Sequence, residues 1–256
     1  MIDILRARLH QGHRTMAFPE GEPPELPEHF RGRPALESEK CAPDCTLCRD
    51  ACPTEAIQRQ ERPVIDLGRC LFCTDCLRSC PEGAIAFTRD HRLATDTRDD
   101  LRSGGATLRL AQGLQGEMLR LFGRSLKLRQ VSAGGCNACE LDTNVLNTVG
   151  WDLARFGIQF VASPRHADGL LVTGAVSANM TLALQKTYDA VPAPKIVIAV
   201  GACAISGGPF RGHPEVRDGV TGLLPVDLFI PGCPPHPLTI LDGLLRLLGR
   251  LPAERH

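Results

Sequence analysis

KIVIAVGACA, residues 195–204, is the stretch on which the fold turns. Lys195–Val200 is short, apolar and uninterrupted, the pattern of a strand buried on both faces. Glycine and then cysteine follow it directly. Reading outward from there, Leu126–Val131, Gly169–Thr173 and Val226–Ile230 are further strands. Leu141–Phe156, Ala178–Ala190 and Pro237–Leu248 have helical periodicity and lie between or after them. Strands alternating with helices predict an α/β layer structure with a mostly parallel sheet over residues 126–256.

Three of these strands run into cysteine. Leu126–Val131 leads to GGCNACE with Cys136 and Cys139, Lys195–Val200 to GACA with Cys203, and Val226–Ile230 to PGCPP with Cys233. Open α/β sheets gather ligands beyond the carboxyl ends of their strands, so four thiols distant in sequence can meet at one point. Gly134, Gly135, Gly201 and Gly232 permit close approach of the backbone. The helix predicted from Leu141 would turn its free N–H groups toward an anionic group held there. Pro234 and Pro235 stiffen the last turn. On spacing alone, zinc or scattered buried cysteines remain open for this group.

The chain has twelve cysteines, and the other eight lie between Cys41 and Cys80. CPTEAI (52–57) recurs as CPEGAI (80–85), 28 residues later, each preceded by three closely spaced cysteines. Two copies of one small unit imply a pseudo-twofold module in which neither half buries a core alone. The runs are Cys41-x3-Cys45-x2-Cys48-x3-Cys52-Pro53 and Cys70-x2-Cys73-x2-Cys76-x3-Cys80-Pro81. The second has the C-x2-C-x2-C-x3-C-P spacing of iron–sulfur ligation, in which the fourth cysteine serves the other cluster. The predicted assignment is therefore crossed: Cys41, Cys45, Cys48 and Cys80 for cluster A, and Cys70, Cys73, Cys76 and Cys52 for cluster B. Structural zinc also uses C-x2-C pairs, but needs neither a tight run of three nor the doubled Cys-Pro. The extra residue in the first run, Pro43 or a neighbour, reads as a harmless bulge.

The remaining sequence mostly excludes. Twenty-nine basic against 29 acidic residues leave no basic excess for nucleic acid. The longest apolar stretch, Ile196–Ile205, is far short of the roughly 20 residues of a membrane span. MIDILRARLHQGHR has no long apolar segment or cleavage site, so no signal peptide is expected and the thiols should sit in a reducing cytoplasm. Ile2, Leu5 and Leu9 predict a short helix packed on its own protein, with a basic contact to a membrane surface or partner as the alternative. Residues 17–35 read as an extended strap. Residues 89–125 read as a connector, helical around Leu108 to Leu121. Net charge is −3 over 1–105 (15 basic, 18 acidic) and +3 over 106–256 (14 and 11), too small a difference to name a partner.

Among single residues, Glu140 reads as a carboxylate favoured at a helix N-terminus, with a proton-path role as the lesser reading. Arg129, Arg211 and Arg217 are candidates to tune the third group by charge, though surface solvation suits any one of them better. His236 reads as a partner contact or a solvated residue. No phosphate loop, Ser/His/Asp arrangement or carboxylate pair is present, so no catalytic residue and no flavin or nicotinamide site is assigned.

Residues 1–103, with HQGHRT and FRGRP ahead of the two cysteine runs, resemble the two-cluster ferredoxin-like subunits of complex I and membrane-bound hydrogenases. Residues 126–250, with CNACE, VTGAVSANM, GACAISGGPF and PVDLFIPGCPPHP, resemble the small electron-transfer subunit shared by complex I (its 20 kDa subunit) and NiFe hydrogenases. Complex I subunits of this type carry two adjacent cysteines where this chain has Cys136-x2-Cys139, which favours an energy-converting hydrogenase of the formate hydrogenlyase type. The chain looks like a fusion of the two subunits. The expected fold is an α+β two-cluster ferredoxin domain (1–105), a connector (106–125) and an α/β, flavodoxin-like domain (126–256). The resemblance implies a third 4Fe–4S cluster, on Cys136, Cys139, Cys203 and Cys233, next to a NiFe centre on a separate large subunit. It further implies membrane subunits of the same complex, a redox partner such as a formate dehydrogenase electron carrier, and a place on the cytoplasmic face of the inner membrane. The alternatives are a complex I-like module delivering electrons to quinone, a free ferredoxin-like carrier, and a zinc-binding interaction module.

Overall fold

The computed structural model describes residues 2–42, 44–59, 63–104 and 108–251. Pro43 and residues 105 and 106, on which the expected bulge and the expected domain limits fall, lie outside them.

Helix α1 (Ile2–Gln11) forms as its Ile2, Leu5 and Leu9 spacing predicts. The expectation that it packs on its own protein is corrected, because none of its residues is buried and Leu9 is 82% exposed. Its apolar stripe is narrow, and Gly12 in the left-handed region turns the chain away from it. The following strap lies on the C-terminal half. Met16 N–H donates to Gly150 O at 2.9 Å, and Arg155 donates to Met16 O and Phe18 O.

Two small antiparallel sheets follow. Strand β1 is Pro34–Leu36, α2 is Leu47–Asp50, β2 is Ile57–Arg59, β3 is Pro63–Asp66, α3 is Asp75–Arg78, β4 is Ile85–Phe87 and β5 is Arg102–Ser103. β1 pairs with β4, and β3 pairs with both β2 and β5. The repeated hexapeptides take matching places. Ala56 N–H donates to Cys52 Sγ at 3.2 Å and Ala84 N–H to Cys80 Sγ at 3.3 Å. Ala56 O accepts from Asp66 N–H, and Ala84 O from Glu37 N–H. Each Cys-Pro turn thus delivers its chain into the edge strand of a small antiparallel sheet.

The helix expected around Leu108 to Leu121 is confined to α4 (Gly116–Phe122). Gly113 and Gly116 interrupt the periodicity. Leu108 and Leu110 are buried in irregular chain, and Ala111 N–H pairs with Ala94 O.

The remaining residues form a five-stranded sheet flanked by helices. In chain order the elements are β6 (Leu126–Ser132), α5 (Ala138–Val145), β7 (Ile158–Phe160), β8 (Gly169–Thr173), α6 (Ala178–Ala190), β9 (Ile196–Val200), α7 (Gly201–Ser206), β10 (Leu228–Ile230) and α8 (Pro237–Leu247). The strand order is β10-β9-β8-β6-β7, and every pairing is parallel. Numbered from β6, this is the doubly wound order 2-1-3-4-5. The helix expected over Leu141–Phe156 is two pieces, α5 and a 3-10 turn at Leu153–Phe156. The Asn147–Asp152 segment between them is rich in turn formers, and Leu153 N–H closes it on Leu146 O. β7 and α7 escaped the sequence reading, as a three-residue strand and a six-residue helix carry little periodicity.

The apolar core does not stop between the small sheets and the large one. One buried cluster joins Ile57, Ile65, Leu67 and Leu101 to Val172, Ala204, Ile205 and Phe229. Thr95 and Phe229 exchange backbone hydrogen bonds of 3.0 and 2.8 Å, extending the β10 edge. Helix α8 is buried along its whole length.

Candidate functional site

The twelve cysteines fall into three groups of four, and no disulfide joins any of them. Cys41, Cys45, Cys48 and Cys80 line one cavity, walled by Leu36, Pro63 and Ile85. Cys52, Cys70, Cys73 and Cys76 line another, walled by Ile57, Ile65 and Phe87. Each cavity takes three thiols from one run and the fourth from the other. The two runs differ locally. Phe72 and Thr74 are left-handed at φ 54 and 71, whereas Thr46, the counterpart of Thr74, has φ −117. Thr46 thus avoids the left-handed conformation that Thr74 adopts.

The third group sits at strand ends. Cys136 and Cys139 follow β6, Cys203 lies inside α7 beyond β9, and Cys233 follows β10. α5 starts at Ala138, so Cys139 stands in its first turn and not ahead of it as expected. Electrostatic coupling of Cys139 to Cys203, Cys233 and Cys136 marks the four as one group. Two glycines make its room. A Cβ at Gly201, where φ is +88, would come within 2.5 Å of Cys139 Sγ, and one at Gly208 within 2.7 Å of Cys203 Sγ.

Burial, reinforced by neighbouring thiols, makes seven of the twelve cysteines hard to ionise. It pushes Cys70 up to about 12 and Cys76 and Cys203 to about 11, and raises Cys48, Cys73, Cys139 and Cys233. Such clustered thiolates need a cationic centre among them. Among the described residues, no three Cys, His, Asp or Glu side chains converge tightly enough for a single metal ion. A set of four soft sulfur donors around a space, not a point, fits a multinuclear iron–sulfur core. Backbone N–H groups already point at sulfur, from Ala56 to Cys52, Ala84 to Cys80 and Phe72 to Cys70 at 3.2–3.3 Å.

The other singled-out residues divide. Glu140 is buried in the first turn of α5 and accepts from Thr173 Oγ1 at 2.6 Å. Arg217 Nε donates to Thr181 Oγ1, and Arg211 is 4.0 Å from exposed Glu55. Arg129 lines a cleft that also contains Glu140. His236 is half-buried beside an open cleft, and it has contacts within the chain that the sequence did not announce. Its Nδ1 accepts from Leu238 N–H at 3.1 Å, capping α8, and its ring meets Phe30 and Trp151 edge-on. The sequence reading missed Asp66, Arg98 and Ser206, which stand between the second and third groups; no motif marks them.

The family model described as NADH ubiquinone oxidoreductase, 20 Kd subunit, matches residues 136–247. A probable membrane-bound hydrogenase subunit, mbhJ, of Pyrococcus furiosus is 41% identical over 135 residues, 53% of this chain and 81% of that one. An NADH-quinone oxidoreductase subunit of Bacteroides thetaiotaomicron is 39% identical over 158 residues, 61% of this chain and 78% of that one. Formate hydrogenlyase subunit 7 of Escherichia coli is 41% identical over 143 residues, 56% of each chain. A doubly wound sheet with thiols at its strand ends, in a chain with these relatives, defines an oxidoreductase subunit by class. The chain belongs to the 20 kDa subunit family of NADH ubiquinone oxidoreductase, which its hydrogenase relatives share. Among the described residues no helix is long and apolar enough to cross a membrane.

Proposed function

We propose that this chain is the electron-transfer subunit of a membrane-associated, NiFe hydrogenase-like complex of the formate hydrogenlyase type. Three 4Fe–4S clusters would be held by Cys41, Cys45, Cys48 and Cys80, by Cys52, Cys70, Cys73 and Cys76, and by Cys136, Cys139, Cys203 and Cys233. The observation carrying this reading is the crossed lining of two cavities by four thiols each, with a third group at the sheet's carboxyl edge. Bound clusters would take up and release single electrons. The chain's part is to hold and space the sites and to set the charge around them.

Cys76 is coupled electrostatically to Cys48, and Cys233 to Cys73, which supports a linear order with the second site in the middle. Cys136 and Cys233 are exposed, a face suited to a NiFe large subunit. The unburied α1, with Arg6 and Arg8 beside its apolar residues, suits docking to membrane subunits at the cytoplasmic face of the inner membrane. A formate dehydrogenase electron carrier would serve the first site. The division into 1–105, 106–125 and 126–256 belongs to this proposal, as does the absence of a substrate-transforming site.

Iron and acid-labile sulfide analysis tests it. Anaerobically reconstituted protein should be brown and EPR-active, and Cys203→Ser should lose about a third of the iron while the other two sites stay reducible. Colourless protein binding only zinc would end the proposal. The purified complex should contain a nickel-bearing large subunit, and dihydrogen should reduce this chain. The likeness to an NADH-quinone oxidoreductase subunit supports a second reading, delivery of electrons to quinone. Cys136-x2-Cys139, in place of adjacent cysteines, favours the first, and isolation only with a quinone-binding partner would favour the second.

A further inference from the structure

The second and third cysteine groups are joined by a short piece of structure that ligates nothing. Cys70 ends the turn that begins at Asp66, and its N–H donates to Asp66 O at 3.0 Å. The Asp66 side chain, 2% exposed, holds that turn from inside. Its oxygens accept from Gly68 N–H at 2.9 Å and from Arg98 at 2.8 and 2.6 Å. Arg69 Nε stands 3.5 Å from the same carboxylate, close enough to pair but making no hydrogen bond. Thr54, two residues beyond Cys52, donates to Arg69 O at 2.8 Å. The turn is therefore tied to two thiols of its own site, directly to Cys70 and through Thr54 to the Cys52 segment.

Its far side meets α7. Ser206 Oγ lies 2.8 Å from Gly68 O and 3.1 Å from Ala202 O, and Cys203 is one helical turn back on the same helix. Gly68 leaves no gap there. A Cβ would come within 2.7 Å of Ile205 and 2.9 Å of the Arg98 guanidinium carbon. From Cys70 to Cys203 the path is two residues of backbone, one hydrogen bond and one turn of helix. The other side of the junction is an open cleft lined by Phe72, Asp142 and Cys233.

We infer that Ser206 is a positioning residue, clamping the Asp66-braced turn of the second site against the Cys203 helix of the third and so fixing their separation. This rests on the proposal that both sites carry iron–sulfur centres. Arg69 and Arg98 against Asp66 leave one net positive charge in the clamp, between two groups that are anionic when ionised. The hydroxyl matters because Gly68 is buried and its carbonyl takes its hydrogen bond across the junction from Ser206.

The test uses the reconstituted full chain, with Ser206→Ala, Ser206→Thr and Gly68→Ala. Readouts are iron content, the EPR spectrum of each centre, the magnetic coupling between the second and third, and the rate at which they equilibrate after photoreduction. Ser206→Ala should keep all three centres, weaken the coupling and slow equilibration severalfold, because the two sites lose the hydrogen bond that holds them at one separation. Ser206→Thr should restore both values, and Gly68→Ala should weaken the coupling further. Unchanged coupling and rate in Ser206→Ala and Gly68→Ala, with three centres present, would overturn the clamp and leave the three-centre reading standing. Wild-type protein lacking a centre at either site would overturn both.

Discussion

Glu55 and Gly83 occupy the same place in the two Cys-Pro repeats, and both are left-handed, at φ 52 and 60. A side chain there costs about 1–2 kcal/mol, which glycine escapes. Glu55 has in return only an exposed ion pair with Arg211 at 4.0 Å, worth little. Glu55→Gly should therefore stabilise by about 1 kcal/mol and Gly83→Glu destabilise by about as much. Urea midpoints decide it, and equal midpoints in all three proteins would refute the argument. Gly201→Ala should spare the fold of residues 34–103 yet cost the third site, since the new methyl meets Cys139 Sγ. Iron analysis should show about two thirds of the wild-type content, and full content would refute it. At this scale the eight cysteines between 41 and 80 stood out by spacing, whereas Cys136, Cys139, Cys203 and Cys233 stood out only by following strands. Ser206, Asp66 and His236 were not, because a hydroxyl, a carboxylate and an imidazole acquire their roles only from what folds against them.

The elements tell the same story in coarser form. β8 and α6 have the limits read from the sequence, because burial on both faces and clean periodicity leave one solution. The Leu141–Phe156 helix failed because the turn residues in its middle were outvoted by its apolar spacing. α1 failed differently: its helicity was legible, but whether a facing element exists is a tertiary fact. Since α1 buries nothing, deleting residues 2–11 should shift the thermal midpoint by no more than about 2 °C, as for a surface change. The same deletion should release the chain from membrane subunits or anionic vesicles in a flotation assay. A large loss of stability would mean that α1 packs on the chain after all.

Across the whole molecule, pH separates protein from cofactor. Buried thiols that ionise at about 11–12 instead of their ordinary 9.0 cost the folded, metal-free chain nothing while the unfolded chain is also protonated, and disfavour it once that chain ionises. Metal-free stability should therefore hold below pH 9 and fall as pH rises through it; loaded protein should not show this fall, and matching curves would count against metal ligation. On the acid side, burial holds His91 down to about 4, among Asp90, Arg92, Arg246 and His236. The unfolded chain gains that proton near pH 6.5, so stability should drop between about 6.5 and 4, and His91→Phe should flatten the drop in denaturation curves. The global arrangement was the least legible level. Composition and spacing suggest two units in series but carry no sign of how Leu67, Ile205 and Phe229 pack into one apolar interior. That shared interior has a practical corollary. A chain nicked by an engineered protease site near residue 105 should not come apart on a sizing column, and its pieces, expressed separately, should be sticky alone and complement each other when mixed.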